Sequence, residues 1–444
     1  MKTAAERQGV RAGAIRVILA SAVSLGSAVS AASAQTIAIT GGTVVTLAGP
    51  PIANGTVVIE GGRIVAVGAA VAVPAGARTI DARGKFVYPG LIDARTQLGL
   101  TEIGSVAGGN DMAELGDFNP AMATVVAVNA HSELIPVTRV EGVTTVLSAP
   151  GGGRVAGTAT VIDLDGWTPR EMARVPLAAL IVEYPTLERT GGGGFGGGGG
   201  GGRGGAALSD EEFTRRAERQ VRELNEYFER ARSYADRKAR GTVPALDRQL
   251  EAMVAPVRGE MPVLVSADGA KEILGAIALA DRFGLKLIVG GGRQAWRVAD
   301  TLAARKIPVI LGSILSSPGR DDPFDALYAQ PRVLARAGVK FAFSTDGASD
   351  VRDLPYHAQM AVAHGLAADT ALMALSRWPA EILGIGSEVG TIEPGKVANL
   401  FVASGSPLDV RTTVEQVFIR GLPMDGSTRH TRLYQEFRGR PRGQ

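Results

Sequence analysis

The sequence predicts an α/β protein built as a (β/α)8 barrel, and two observations carry that expectation. Eight short apolar runs recur along the chain, at residues 86–92, 143–148, 159–164, 178–182, 263–266, 285–289, 309–311 and 339–343. Helical patterns fall between several of them, at 210–238, 270–282, 294–304 and 355–363. Strands alternating with helices argue a parallel sheet covered by helices, and eight strands is the count of a closed barrel. A chain of 444 residues is long enough for such a barrel and a smaller domain beside it.

Residues 1–34 read as a secretory signal. Lys2, Arg7, Arg11 and Arg16 form a basic leader, residues 14–31 are mostly small and apolar, and Ala32-Ser33-Ala34 fits a small-x-small cleavage site before Gln35. Export to the periplasm or outside the cell follows, with no membrane attachment after cleavage, because no later segment holds about 18 uninterrupted apolar residues. From residue 36 to 82, β-rich runs are separated by glycine turns, with Asn54-Gly55 a strong hairpin signal. A similar piece at 390–402, followed by a strand at 414–420, lies near the other end.

Residues 191–205 are almost pure glycine, broken by Phe195 and Arg203. Such a run buries too little surface to offset its entropy, so it is expected to be disordered, either as a plain solvent loop or as a lid over the barrel mouth. Ser209 then suits the N-cap of a long charged helix that opens with Asp210, Glu211 and Glu212.

Composition narrows the chemistry. A net charge of +3 gives no nucleic-acid footprint. Cysteine is absent, which excludes disulfides, a thiolate nucleophile and thiolate metal sites. Only four histidines are present: His131, His357, His364 and His430.

The run that opens the first strand continues Pro89-Gly90-Leu91-Ile92-Asp93-Ala94-Arg95-Thr96-Gln97. This resembles the amidohydrolase superfamily, whose signature is Pro-Gly-Leu-Ile-Asp-Ala followed by His-x-His. Gly142-Val143-Thr144-Thr145-Val146, Ser344-Thr345-Asp346-Gly347, the segment 378–384 and the segment 390–400 resemble further phrases of the superfamily, and together they span residues 36–420. The nearest likeness is to imidazolonepropionase-like hydrolases of non-peptide carbon–nitrogen bonds. The resemblance implies a TIM barrel of the metal-dependent hydrolase type at 85–385. It also implies a composite β-sandwich in which 35–84 pairs with 386–430.

It also implies a divalent metal such as zinc, and here the residues depart from the pattern. Arg95 and Gln97 stand where the two histidines belong, and an arginine has no lone pair to give a metal. Ser266 or Ala267 and Gly290 stand where the fifth and sixth strands would supply histidines. Asp346 matches the aspartate that binds metal and shuttles the proton of the attacking water, so it is the one expected metal ligand and, with Arg95, a candidate catalytic residue. Gln97, Glu183, Tyr184, Asp268 and Arg293 follow strand ends and are the candidate substrate-binding residues. Gly151-Gly152-Gly153 is readable either as an anion-binding nest or as a tight turn. An ion pair between Arg95 and Asp346 would replace the metal.

Two readings follow. In one, the protein is a non-catalytic member that binds a small molecule, alone, as a homo-oligomer, or paired with an active homologue. In the other, it is a working hydrolase with Asp346, Arg95 and nearby carboxylates in an atypical site.

Overall fold

The computed structural model describes residues 35–188, 208–242 and 245–440. The expected signal segment at 1–34 and the glycine run at 191–205 lie outside the described residues. Among the described residues, sixteen strands form two eight-stranded sheets.

The first sheet contains β1 (Ile37–Val44), β2 (Ile52–Glu60), β3 (Arg63–Gly68), β4 (Arg78–Asp81) and β5 (Phe86–Pro89). The second contains β6 (Leu91–Thr96), β7 (Val143–Ser148), β8 (Val155–Asp163), β9 (Ala173–Glu183), β10 (Pro262–Ala267), β11 (Lys286–Gly291), β12 (Val309–Leu311) and β13 (Phe341–Phe343). From the other chain end, β14 (Leu400–Ala403), β15 (Val414–Ile419) and β16 (Leu422–Pro423) complete the first sheet. The two chain ends therefore meet as the sequence implies: β14 pairs antiparallel with β5, which pairs parallel with β1. Their apolar side chains, among them Ile39, Val57, Leu400 and Phe418, form a core of their own.

The boundary between the two sheets corrects one expectation. The run at 86–92 is not one barrel strand. It splits at Gly90: β5 belongs to the composite sheet, and β6 opens the barrel by pairing with β7. Gly90 is held from both sides, its N–H donating to Asn399 O at 2.9 Å and its carbonyl accepting from Ser376 Oγ at 2.8 Å. A Cβ on Gly90 would lie 2.8 Å from Thr144 Cβ, so only glycine passes here.

The barrel strands follow one another in chain order from β6 to β13. The third strand departs from the all-parallel expectation. β8 runs antiparallel to both β7 and β9, because the turn from Ser148 to Val155 is too short for a crossover helix. The other neighbours pair parallel. Between β13 and β6 the barrel is closed by the hydrogen bond from Asp346 N to Arg95 O, at 3.2 Å, and by side chains.

The described residues form twelve α-helices in chain order: α1 (Leu134–Arg139), α2 (Pro169–Met172), α3 (Asp210–Ala239), α4 (Arg248–Ala252), α5 (Val254–Val257), α6 (Ala270–Phe283), α7 (Ala299–Ala304), α8 (Ala326–Ala337), α9 (Leu354–Ala363), α10 (Ala368–Leu375), α11 (Arg377–Ile382) and α12 (Arg429–Phe437). Ser209 caps α3 through a reciprocal capping box with Glu212. Ile92, Leu147, Ile181, Leu264, Ile288, Ile310 and Ala342 fill the barrel interior in layers, and a larger apolar layer lies between strands and helices.

Candidate functional site

Side chains from β6, β9, β10 and the segment after β13 meet at the C-terminal mouth of the barrel around Arg95. Its Nη2 donates to Glu183 Oε1 at 3.3 Å, and its Nε lies 3.7 Å from Asp346 Oδ1. Glu183 Oε1 also accepts from Ser266 Oγ at 2.9 Å. Asp346 Oδ2 accepts from the Ser313 backbone N–H at 3.2 Å, and Oδ1 from Ser344 Oγ at 3.4 Å. Burial works against the Arg95 charge, but Asp346, Glu183 and Asp268 together hold its pKa above the ordinary guanidinium value.

Asp268 stands at the rim, open to solvent on one side. The protein crowding its other side pushes its pKa up to about 6; Arg293 and Arg95 pull downward and Asp346 adds to the rise. Asp346 itself has φ of 61°, a left-handed conformation uncommon for a residue with a Cβ and a mark of local strain.

Asp93 is the residue that strand-end reasoning missed. It is fully buried beneath the Arg95–Asp346 pair. Its Oδ1 accepts from the backbone N–H groups of Arg95, at 3.1 Å, and Thr345, at 3.3 Å. Oδ2 lies 2.6 Å from Thr345 Oγ1. Burial pushes its pKa up to about 8, only partly offset by these hydrogen bonds, with Asp346 adding to the rise. Asp93 thus fixes the end of β6 against the end of β13 and sets the two members of the ion pair side by side. The only sequence signal was its place inside the Pro89–Ala94 phrase.

Missing side chains shape the mouth as much as present ones. A Cβ on Gly290 would come 2.5 Å from Leu264 Cδ2 and 3.3 Å from Arg95 Nη1. A Cβ on Gly312 would come 2.8 Å from Asp346 Oδ2, and one on Gly291 would meet Asp268 Oδ1. The guanidinium and two of the carboxylates therefore use space that side chains on β11 and after β12 would take.

The remaining candidates divide. Gln97 is half-buried beside Arg95 in sequence and its side-chain amide has no hydrogen-bond partner among the described residues, while its carbonyl accepts from Leu100 N at 2.9 Å. Arg293 is tied down, donating from Nη1 to Ser316 Oγ at 3.0 Å and from Nη2 to Ser317 O, and contributes its charge to Asp268. Tyr184 is not brought to the mouth. Its ring lies against Gly275 of α6 in the outer apolar layer, because successive residues of a strand face opposite sides and Glu183 takes the inner one. The glycine triplet is a close-packed turn: a Cβ on Gly153 would come 2.8 Å from Gly116 O, and Gly152 meets Ala113.

No histidine lies at the mouth. His131 is exposed in the turn before α1, and His430 is in the exposed α12. His364 ends α9, with Nδ1 2.9 Å from Met360 O. His357 is buried in α9, where Nδ1 has no partner among the described residues and burial lowers its pKa to about 4. Among the described residues no group of three or more His, Cys, Asp or Glu side chains could hold a metal ion. The mouth carboxylates face a permanent cation that offers no lone pair. A catalytic metal of the kind the sequence resemblance implies does not fit these residues, and Asp346, the expected ligand, is held by Arg95, Ser313 and Ser344 instead.

The architecture is a (β/α)8-type barrel with charged groups gathered at its C-terminal mouth, joined to a sheet built from both chain ends. Comparison with known proteins places it more closely. The amidohydrolase family model matches residues 327–424. An amidohydrolase from Thermotoga maritima is similar over 88% of this chain and 99% of its own, with 25% identity and a TM-score of 0.76. Molinate hydrolase is similar over 89% of this chain and 95% of its own, with 18% identity and a TM-score of 0.54. A prolidase complexed with N-methylphosphonate-L-proline shares the fold at 17% identity and a TM-score of 0.51, over 88% of this chain and 99% of its own. No curated protein sequence matches the chain. The family match over residues 327–424 and the likeness over 88% of the chain support its assignment to the amidohydrolase superfamily.

Proposed function

We propose that this protein is an exported, non-hydrolytic member of the superfamily that binds a small molecule at the barrel mouth, with the Arg95 guanidinium standing where active members hold metal. The observation that supports this is the position of Arg95 between Glu183, at 3.3 Å, and Asp346, at 3.7 Å. A cation fixed among carboxylates neutralises them as a metal would, but it neither polarises a carbonyl as a Lewis acid nor lowers the pKa of a bound water. On this reading the free amide of Gln97 and the solvent-facing side of Asp268 are the groups left to touch a ligand, and pairing with an active homologue is a natural use of such a subunit.

The test is metal content. Purified mature protein is exposed to zinc and to manganese, dialysed, and analysed for bound metal. The proposal expects none at stoichiometric level in either case; one metal per chain would overturn it.

A second reading is favoured by the placement of Asp268, exposed at the rim near Arg95, where burial on its protein side raises its pKa to about 6. A carboxylate so tuned suits a general base that draws a proton from water, with Arg95 stabilising the charge that develops on the attacked carbonyl. Turnover of a small-amide panel that disappears in Asp268→Asn and survives a chelator would select this reading over the first.

A further inference from the structure

The last helix, α12, differs from the long helices around the barrel in that none of its residues is buried. Its start is well made: the buried Thr428 accepts from Thr431 N at 3.2 Å in a reciprocal capping box. Arg432 Nη2 then ties the helix to Glu133, at 2.8 and 2.7 Å, at the head of α1. The helix is therefore formed and held in place, yet it gives no side chain to a core.

Three of its side chains are large, apolar and open to solvent: Leu433, Tyr434 and Phe437 are 38%, 65% and 39% exposed. At about 100° per residue they share one side of the helix, and Arg432 lies about 150° from the middle of that stripe. The side that meets Glu133 is therefore the side opposite the stripe. On the same geometry Arg429 and Arg438 flank the stripe, each about 90° from its middle. Arg440 sits at its end, with the guanidinium carbon 3.8 Å from the Phe437 ring centroid.

The charge of the segment is as uneven as its polarity. Residues 429–440 hold four arginines against one glutamate, an excess equal to the formal net charge of +3 of the whole chain. Among the described residues Arg429, Arg438 and Arg440 pair with no carboxylate. An apolar stripe bordered by unpaired guanidinium groups is complementary to a surface that is anionic outside and apolar beneath, which is what an acidic phospholipid bilayer presents. A nucleic acid would use the arginines but give Leu433 nothing apolar to bury against. At nine residues α12 can lie on a bilayer but not cross it, and no helix among the described residues is long and apolar enough to cross one. The expectation of no membrane attachment rested on the lack of a spanning segment, which does not bear on contact with the surface.

We propose that α12 docks on an anionic phospholipid surface, with Leu433, Tyr434 and Phe437 entering the headgroup boundary and Arg429, Arg438 and Arg440 meeting the phosphates. The helix gives no side chain to the barrel mouth, so the proposal does not depend on what the mouth binds.

The experiment is sedimentation of the purified protein with vesicles of phosphatidylglycerol mixed with phosphatidylcholine, and with vesicles of phosphatidylcholine alone. The expected result is binding to the mixed vesicles, weaker by about tenfold or more on phosphatidylcholine alone. Arg429→Gln, Arg438→Gln and Arg440→Gln combined should weaken binding to the mixed vesicles by about tenfold or more, and so should Leu433→Gln with Phe437→Gln. All five positions are exposed, so these variants should keep the urea midpoint of the wild type. Tyr434→Trp gives a second readout: its emission, after subtraction of the wild-type spectrum, should move to shorter wavelength on the mixed vesicles. No sedimentation with the mixed vesicles, equal binding to phosphatidylcholine alone, or an unmoved emission would overturn the proposal. Binding that survives Leu433→Gln with Phe437→Gln but not the loss of the arginines would also overturn it, and would assign α12 to an acidic partner recognised by charge alone.

Discussion

Asp93 Oδ2 and Thr345 Oγ1 lie 2.6 Å apart in a region with no solvent access, and this contact bridges the one barrel edge that lacks a strand ladder. Burial raises its pKa from 3.8 to about 8, which favours the neutral carboxyl. The sign of the pH effect follows. Folding binds a proton to Asp93 between these values, so its contribution to stability is complete below about pH 4. It is lost as pH rises through about 8, with a slope of up to about 1.4 kcal/mol per pH unit. Asp93→Asn presents a similar shape without the titration. Urea unfolding from pH 5 to pH 9 should show a decline in the wild type that is flattened in the variant; parallel curves for the two proteins would refute the assignment.

Arg95 neutralises two carboxylates that are each about one-third exposed, at 35% and 36%. Arg95→Gln leaves them facing one another without a counter-ion. Partial exposure screens the repulsion, so the expected loss is about 1–3 kcal/mol, below the 3–5 kcal/mol typical of a broken buried pair. Asp346→Ala removes one of the two acids and adds to the left-handed backbone strain, because alanine tolerates a φ of 61° less well than aspartate. Chemical denaturation of both variants checks this. An unchanged midpoint in both would mean that the ion pair contributes nothing to the mouth.

Gly290 tests whether the space for Arg95 is set by the backbone. In Gly290→Ala the new methyl meets Leu264 Cδ2 at 2.5 Å and Arg95 Nη1 at 3.3 Å unless they shift. Overpacking of this kind costs about 1–3 kcal/mol. In the variant combined with Arg95→Ala only the Leu264 contact remains, so the two changes should be less than additive. Strict additivity in a double-mutant cycle would show that Gly290 does not position the guanidinium.

The scaffold was legible in the sequence because each strand is written locally, as a short apolar run between turn residues. The loss of the histidines was equally legible, since residue types alone exclude Arg95 and Gly290 as metal ligands. What was not legible depends on three-dimensional direction. Tyr184 and Glu183 are neighbours in sequence, but the strand turns one outward and one inward. The reversal of β8 hides in a turn whose length, not composition, forbids a crossover. Asp93 looked like part of a scaffold phrase, and its role depends on Thr345, distant in the chain. The split of 86–92 at Gly90 depends on which sheet each half meets.

The join between the two sheets rests on Asp163, which is fully buried at the end of β8. Its carboxylate takes hydrogen bonds from Arg174 Nη2 at 2.7 Å, Arg420 Nε at 2.9 Å, Asn399 Nδ2 at 2.9 Å and Thr145 Oγ1 at 3.0 Å. Arg174 and Thr145 belong to the barrel, whereas Asn399 and Arg420 flank strands of the composite sheet, so one carboxylate ties both. Asp163→Ala strands two guanidinium groups, of which Arg174 keeps only Glu388 and is just 6% exposed. Breaking such a pair from one side costs about 3–5 kcal/mol. Asp163→Asn keeps the acceptor oxygen but not the charge, and should fall between the variant and the wild type. If the two sheets depend on this residue to unfold together, Asp163→Ala should also broaden the urea transition or divide it, with the barrel and the composite sheet melting apart. A single transition displaced by less than about 0.5 kcal/mol would place the coupling elsewhere, in the Gly90 crossing and its bonds to Asn399 and Ser376.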